Sequence, residues 1–64
     1  MLLWIVRDTR RFLNEWVSSH STIATRTAAQ ALAAARKHAL GKVEVVGYIL
    51  NGRDRYFRPD EFIA

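Results

Sequence analysis

The stretch that decides the fold is Val43-Glu-Val-Val-Gly-Tyr-Ile-Leu-Asn-Gly-Arg-Asp-Arg-Tyr-Phe-Arg58, near the carboxyl end of the chain. Two runs rich in β-branched and aromatic residues flank Asn51-Gly52. That dipeptide most readily supplies the two positive φ values of a type I′ turn. The segment therefore predicts a β-hairpin whose register is set by the turn.

Pairing across this turn predicts which side chains share a face. One face holds Leu50 opposite Arg53, Tyr48 opposite Arg55 and Val46 opposite Phe57. The other face carries Val43, Val45, Ile49, Asp54, Tyr56 and Arg58. Both faces are apolar, with arginines near the tip, whereas a solvated hairpin is expected to have one polar face. We therefore expect the second face to need a cover: the amino-terminal segment, another copy of the chain or a target.

The middle of the chain predicts one helix, from about Thr27 to Leu40. Thr27-Ala-Ala-Gln30 has the spacing of a capping box, although Thr25 is a competing cap. Alanine and leucine follow, and Gly41 is the predicted C-terminal stop. One stripe of mostly small side chains is the predicted buried face: Ala28, Ala31, Leu32, Ala35 and Ala39. Arg26, Gln30 and Lys37 point the opposite way, with Arg36 on the flank.

The first twenty residues allow two interpretations. Leu2 to Arg7 has the composition of a strand, and a second strand follows if Asp8-Thr9-Arg10 forms the turn. Phe12, Leu13, Trp16 and Val17 also recur at helical spacing. The strand interpretation predicts an α+β fold of ββαββ order, one helix packed on an antiparallel sheet. The alternative is two helices followed by a β-hairpin, similar to a winged helix.

The connecting and terminal segments complete the predicted organisation. Residues 18–25 are polar and are expected to form a loop or a ragged strand that enters the helix. Pro59 ends the last strand, and Asp60 is the predicted cap of a short turn that packs Phe62 and Ile63 onto the core.

Size and composition limit the class of protein. The 64 residues make a single domain, residues 1–64, that buries only ~60% of its unfolded surface, so its stability is expected to be small. Half the residues are hydrophobic, which excludes a simple disordered tail, and there is no cysteine to form a disulfide. A homodimer is the remaining way to stabilise the core. The apolar residues 1–6 are too few for a signal peptide or a membrane span, which predicts a cytoplasmic protein with no membrane partner.

The charge pattern favours an anionic partner. Ten Lys and Arg against six Asp and Glu give a net charge of +4, and eight of the ten cations are arginine, whose planar fork suits phosphates and carboxylates. The predicted binding residues are Arg53, Arg55, Tyr56, Phe57, Arg58, Tyr48, Arg26, Arg36 and Lys37. Cations interleaved with aromatic residues are typical of proteins that hold phosphates and stack on bases. Tyr48 and Phe57 are also candidates for the core.

Catalytic chemistry is not predicted. His20 lies among Ser18, Ser19 and Ser21, but adjacency in sequence is not a catalytic triad, which needs an oriented base and oxyanion donors. His20 and His38 lack the spacing of a zinc site, and no glycine belongs to a phosphate-binding loop. We therefore expect no enzyme activity, no cofactor, no metal and no small-molecule substrate.

Two functions from different classes remain. The first is a nucleic-acid-binding accessory or regulatory factor of phage or mobile-element type that uses the Arg-rich hairpin. The second is a protein–protein modulator that docks on an acidic surface of a larger enzyme and inhibits it. The order of strands, a helix with Thr27, Ala31 and Ala35, and then Val43-Glu-Val45 resembles that of small phage inhibitors of host RNA polymerase. The resemblance is one of element order, implies a protein partner and assigns no family.

Overall fold

A computed structural model describes residues 2–64 as a four-stranded antiparallel sheet with one helix on one of its faces. The elements are β1 (Leu2–Phe12), β2 (Glu15–Thr25), α1 (Ala28–Arg36), β3 (Lys42–Leu50), β4 (Arg53–Tyr56) and a 3₁₀ turn at Pro59–Glu61. The spatial order of the strands is β2-β1-β3-β4. The predicted ββαββ fold is confirmed, and the winged-helix-like alternative is wrong because residues 15–25 form a strand.

The first hairpin is longer than predicted, and its turn lies elsewhere. The turn residues are Leu13 and Asn14, with φ of 50° and 64°. The turn predicted at Asp8-Thr9-Arg10 is wrong because Asp8 and Thr9 pair on both sides, with β2 and with β3, and the two ladders hold them extended. Residues 18–25, predicted as a loop or ragged strand, pair with β1 along their whole length.

The helix begins as predicted and ends early. The Gln30 backbone N–H donates to the Thr27 hydroxyl at 3.2 Å, and the Thr27 N–H donates to the Gln30 side-chain oxygen at 3.3 Å, so the capping box is confirmed. The predicted end at Leu40 and the stop at Gly41 are wrong. The Leu40 N–H instead donates to the Asp8 carboxylate at 3.3 Å. A Cβ on Gly41 would collide with the Thr9 carbonyl oxygen, so this glycine permits close approach of the chain to β1.

The core lies between α1 and the sheet. Its buried members are Val6, Ala31, Leu32, Val43 and Val45. Partly buried hydrophobic residues surround them: Trp4, Ile23, Ala28, Ala35, Ala39, Phe57 and Ile63. The helix stripe predicted to be buried is the one that packs here, and its small side chains let α1 approach the strands closely.

A bulge in β3 overturns the predicted sharing of faces. Ile5 pairs with Gly47 and the next residue, Val6, pairs with Val45, so Val46 is an extra residue in β3. The alternation of side chains changes phase at this point. Val43 and Val45 therefore face α1, the side on which Tyr48 and Phe57 also lie, whereas strict alternation assigned them to the opposite face.

The second hairpin has the predicted turn and register but a short second strand. Asn51 and Gly52 have φ of 52° and 76°, and Leu50 pairs with Arg53. The pairing of Tyr48 with Arg55 is also confirmed. β4 ends after Tyr56, beyond which the Phe57 N–H donates to the Val46 carbonyl at 2.8 Å.

The carboxyl-terminal residues pack back onto the sheet, as predicted. Ile63 forms an antiparallel bridge with Val45, with N–H···O distances of 2.7 and 3.0 Å, and it contacts the core. Asp60 is not the cap of the short turn: the Arg58 N–H donates to the Glu61 carboxylate at 3.1 Å, and Pro59 is already its first residue.

The sheet face opposite α1, called the open face below, has no helix or strand across it within residues 2–64. Ile5 and Val46 are buried outside the α1 cluster. Arg7 forms an ion pair with Glu44 at 2.8 Å, and its guanidinium lies 5.0 Å from the centre of the Phe62 ring. The tail thus supplies part of the cover that the hairpin was expected to need. In the described part of the chain, no helix has both the length and the apolar character required to cross a membrane.

Candidate nucleic-acid interface

Two of the predicted binding residues, Tyr48 and Phe57, pack against other aromatic side chains of the fold, and Phe57 also contacts the core. Tyr48 and Phe57 are half-buried, with ring centroids 5.9 Å apart. Tyr48 also meets Trp4 edge-on at 6.1 Å, and the Trp4 indole N–H donates to the Thr25 carbonyl at 3.2 Å. These ring contacts hold the second hairpin against the first.

The exposed residues of the second hairpin do not share one face. Arg53 and Arg55 pair with Leu50 and Tyr48, so they lie on the side of α1. Tyr56 is 64% exposed and lies on the open face, where its hydroxyl donates to the Asp54 carboxylate at 3.4 Å. The predicted alternation of cations and aromatics therefore divides between opposite faces of the sheet.

The remaining predicted cations lie at opposite ends of the molecule. Arg26 precedes α1 and lies at the end of the sheet where Leu2 pairs with Thr25 and where the Asn51-Gly52 turn is found. Arg36 and Lys37 close α1 at the other end, beside the Asp8 contact to Leu40. Arg58 is exposed just beyond β4. The nine predicted residues thus do not form one continuous surface.

A different feature of the structure is a projecting ribbon, residues 10–17, which we call the arm. The β1–β3 ladder stops at the pair Thr9–Lys42, whereas β1 and β2 continue to pair up to Phe12 and Glu15. The arm therefore pairs only with itself. Three further strand residues at ~3.4 Å each carry its tip roughly 10 Å beyond the body of the sheet.

The arm carries large apolar side chains that are exposed to solvent. Phe12 is 56% exposed, Leu13 81% and Trp16 70%. The Arg11 guanidinium lies 5.5 Å from the centre of the Trp16 ring, and that of Arg10 lies 5.9 Å from Phe12. Such cation–π contacts hold a cation beside an aromatic surface on each face of the ribbon.

Leu13 occupies a backbone conformation that costs energy. Its φ of 50° is in the left-handed region, which a bulky side chain avoids because Cβ crowds the following carbonyl oxygen, at about 1–2 kcal/mol. Because its side chain is exposed, packing within the monomer offsets little of this cost. A strained residue retained at an exposed tip supports a hypothesis of function there.

The arm lies at the more basic end of the molecule. Besides Arg10 and Arg11, that end holds Arg36 and Lys37 at the end of the helix, and Lys42 at the base of the arm. Its acidic residues are Glu15 and the half-buried Asp8, which accepts the Leu40 N–H. This end therefore carries five cations and two carboxylates, one of which is already hydrogen-bonded.

The arm residues were missed at the sequence level although they carry the same signal that identified the second hairpin. Arg10-Arg11-Phe12 and Trp16 also interleave cations with aromatic residues. Phe12, Leu13 and Trp16 instead supported a helix, because they recur at helical spacing, or a second strand. Only the position of the turn reveals that they extend beyond β3.

Comparisons of the chain with protein-family models, with curated proteins and with solved structures find no match. The geometry of the arm and the distribution of charge are therefore the basis for assigning a function.

Proposed function

We propose that the protein is a non-catalytic nucleic-acid-binding factor, of the accessory or regulatory kind found in phages and mobile elements, and that the arm is its principal contact. The observation that carries this proposal is the projection of Arg10, Arg11 and Trp16 beyond the body on a two-stranded ribbon. Ribbons of this width fit the grooves of duplex nucleic acid.

Each part of the arm has a distinct role in this proposal. Arg10 and Arg11, on opposite faces of the ribbon, hold phosphates on either side of a groove. Phe12, Leu13 and Trp16 supply apolar surface at the tip, which stacks on unpaired bases or wedges between base pairs.

The cations at the base of the arm extend the contact. Arg36, Lys37 and Lys42 surround the base and attract the backbone beyond the groove. Because phosphate contacts release bound counterions, the affinity is expected to fall steeply with salt.

The test is fluorescence anisotropy with labelled duplex and single-stranded oligonucleotides, titrated at several salt concentrations. The Arg10→Ala/Arg11→Ala variant is compared with Arg53→Ala/Arg55→Ala, which removes the same charge from the second hairpin. We expect the arm variant to lose roughly tenfold or more in affinity at low salt and about two units of the log–log salt slope. The control variant is expected to change affinity by no more than about threefold.

Two results would contradict the proposal. Equal losses in the two variants would mean that net charge alone governs binding and that the arm is not the contact. An absence of binding by the wild-type chain at low salt, where electrostatic attraction is strongest, would reject nucleic acid as the ligand.

The second candidate function is docking on a larger protein, and the exposed tip is the observation that favours it. Trp and Arg are enriched among residues that dominate protein interfaces, and Leu13 at 81% exposure fits an apolar pocket better than a phosphate backbone. If the anisotropy experiment shows no binding of nucleic acid, we expect the arm to dock on a protein instead. The expected partner surface has an apolar pocket surrounded by acidic residues. Either function is proposed to act in the cytoplasm.

A further inference from the structure

The edge of the sheet formed by β2 is a second feature. It shares residues 15–17 with the arm but does not include the turn at the arm tip, and the inference drawn from it does not rest on the proposed function. β2 is the outermost strand for all of Glu15–Thr25. In a hairpin with a two-residue turn, the closing pair, here Phe12 and Glu15, exchanges both of its hydrogen bonds. The alternate residues of β2 therefore direct their backbone groups outward: Trp16, Ser18, His20, Thr22 and Ala24.

These five residues present ten outward N–H and C=O groups, two from each residue. An unpaired row of this kind is a template for another strand, and proteins usually protect it with Lys, Pro, a bulge or a short strand. β4, at the opposite edge, is protected in this way because it has four residues, three of them charged, and Pro59 follows. β2 has eleven residues, no Pro, Lys or Arg, and Glu15 as its one acidic residue.

The charge of β2 selects the kind of partner. The chain carries ten cations, and none of them lies in β2. A phosphate backbone therefore finds no Lys or Arg side chain along this edge. A second copy of β2 meets it without bringing like cations together, whereas most other surfaces of this basic chain would repel one another.

The sequence of β2 is complementary to itself when read antiparallel about His20. Ser18 then lies opposite Thr22 of the second copy, and Ser19 opposite Ser21. Val17 lies opposite Ile23, a pair of β-branched side chains that is favourable across strands. The large Trp16 lies opposite the small Ala24. Every outward residue is paired in this register, and all eleven residues of β2 are used.

We propose that two copies of the chain form a two-fold symmetric dimer by antiparallel pairing of their β2 strands, centred on His20. The two four-stranded sheets join into one sheet of eight strands, with ten new backbone hydrogen bonds. The dimer also supplies the extra stabilisation that a small core without disulfides needs.

The test begins with sedimentation equilibrium of the full chain over a range of concentrations, with the charge variants compared at matched concentrations. In the Ser18→Lys/Thr22→Lys variant, the lysine at position 18 faces the lysine at position 22 of the second copy, twice per dimer. We expect its dissociation constant to rise at least tenfold over that of the wild type. Ala29→Lys/Ala33→Lys adds the same charge to the exposed side of α1 and is expected to dimerise like the wild type.

The register is tested by mixing. Ser18→Glu/Thr22→Glu is also expected to be monomeric, and an equimolar mixture with the double-lysine variant is expected to restore a dimer through two complementary charge pairs. A wild-type chain that stays monomeric at about 1 mM, a double-lysine variant that dimerises normally, or a mixture that stays monomeric would overturn the proposal.

Amide hydrogen exchange on the wild-type chain gives a measurement that does not depend on folding of the variants. The outward amides of Ser18, His20 and Thr22 are expected to be protected at concentrations where the dimer forms and to exchange at least tenfold faster on dilution. The inward amides of Ser19 and Ser21, already bonded to β1, are the internal control. Outward amides that exchange rapidly in a dimeric sample would show that another surface joins the copies.

Discussion

The two hairpins of this protein differ in their turns, in the length of their strands and in the exposure of their aromatic side chains. The β3–β4 hairpin has an Asn51-Gly52 turn and a second strand of four residues, and the Phe57 that follows packs against the core, with the Tyr48 ring beside it. The β1–β2 hairpin has two strands of eleven residues, a Leu13-Asn14 turn without glycine, and aromatic side chains at its tip that are exposed.

This difference shows that the hairpin whose turn forms most readily is not the one whose surface is most available for binding. Asn-Gly turns form readily, so the second hairpin has the stronger sequence signal, and the structure uses it to build the core. The first hairpin adopts its turn at a conformational cost and extends beyond the sheet. The hairpin that the sequence identifies most clearly is therefore the structural one, and the functional proposal moves to the other.

The largest expected effect comes from Gly47→Val, which tests whether the second hairpin is structural. A Cβ at this position would collide with the Arg55 carbonyl oxygen and lie 3.1 Å from the Tyr56 Cα. We expect a loss of about 3 kcal/mol in the free energy of unfolding, which is comparable to the whole stability of a domain this small. Urea denaturation followed by circular dichroism, at fixed protein concentration, measures the loss.

Binding by the Gly47→Val variant sharpens the comparison further. Stability and nucleic-acid affinity are expected to fall together in this variant, whereas substitutions in the arm lower affinity alone. An unchanged unfolding midpoint would mean that β4 is not required to hold β3 in place.

The next effect concerns the two tryptophans. Trp16 is exposed on the arm, and Trp4 lies in the body of the sheet. Trp16→Ala is expected to weaken binding of single-stranded oligonucleotides by about tenfold, the usual scale for loss of one stacked base. Trp4 is half-buried and bonded to Thr25, so its emission is expected to be insensitive to the ligand.

Single-tryptophan variants separate the two signals. In Trp4→Phe, the remaining emission comes from Trp16 and is expected to be quenched on titration with oligonucleotide. In Trp16→Phe, the emission comes from Trp4 and serves as the control. Quenching of Trp4 without quenching of Trp16 would place the ligand on the body of the sheet and not on the arm.

The smallest expected effects compare the two turns. Gly52 has φ of 76° with open space around it, so Gly52→Ala is expected to lower the free energy of unfolding by about 1 kcal/mol through backbone strain alone. Leu13→Gly relieves the strain at φ 50° and is expected to raise the free energy of unfolding by about 0.5 kcal/mol. The gain is small because glycine also increases the conformational entropy of the unfolded chain.

Opposite signs in these two urea titrations are the expected result, with loss of binding affinity only for Leu13→Gly. Destabilisation of similar size by both substitutions would show that Leu13 packs favourably where it is and is not a strained contact residue.

The elements that were predicted correctly depend on local chemistry. The capping box at Thr27, the small-residue face of α1 and the turn at Asn51-Gly52 are each specified by residues within a few positions of one another. The fold class follows from them, since a capped helix between two β-rich regions leaves few arrangements.

The elements that were missed depend on distant pairing. The extra residue at Val46 is visible only against Ile5 and Val6 on β1. Beyond the end of α1, the Leu40 N–H donates to the carboxylate of Asp8, which is 32 residues away in the sequence. The arm exists because β1 extends past the end of β3. The sequence of either strand alone does not show this difference. The same residue chemistry occurs in both hairpins, and only the pairing of β1 with β3 distinguishes the hairpin that projects from the one that does not.

The length of β2 sets the distance between the two arms of the proposed dimer. In a β2–β2 dimer centred on His20, the two arms point in opposite directions, and the two Glu15 residues lie ten strand residues apart, roughly 34 Å. The two turns at Leu13 and Asn14 lie beyond these glutamates, so the arm tips would stand at opposite ends of the joined sheet, more than about 34 Å apart. Distance measurements between labels attached at Asn14 of the two copies would read this separation directly.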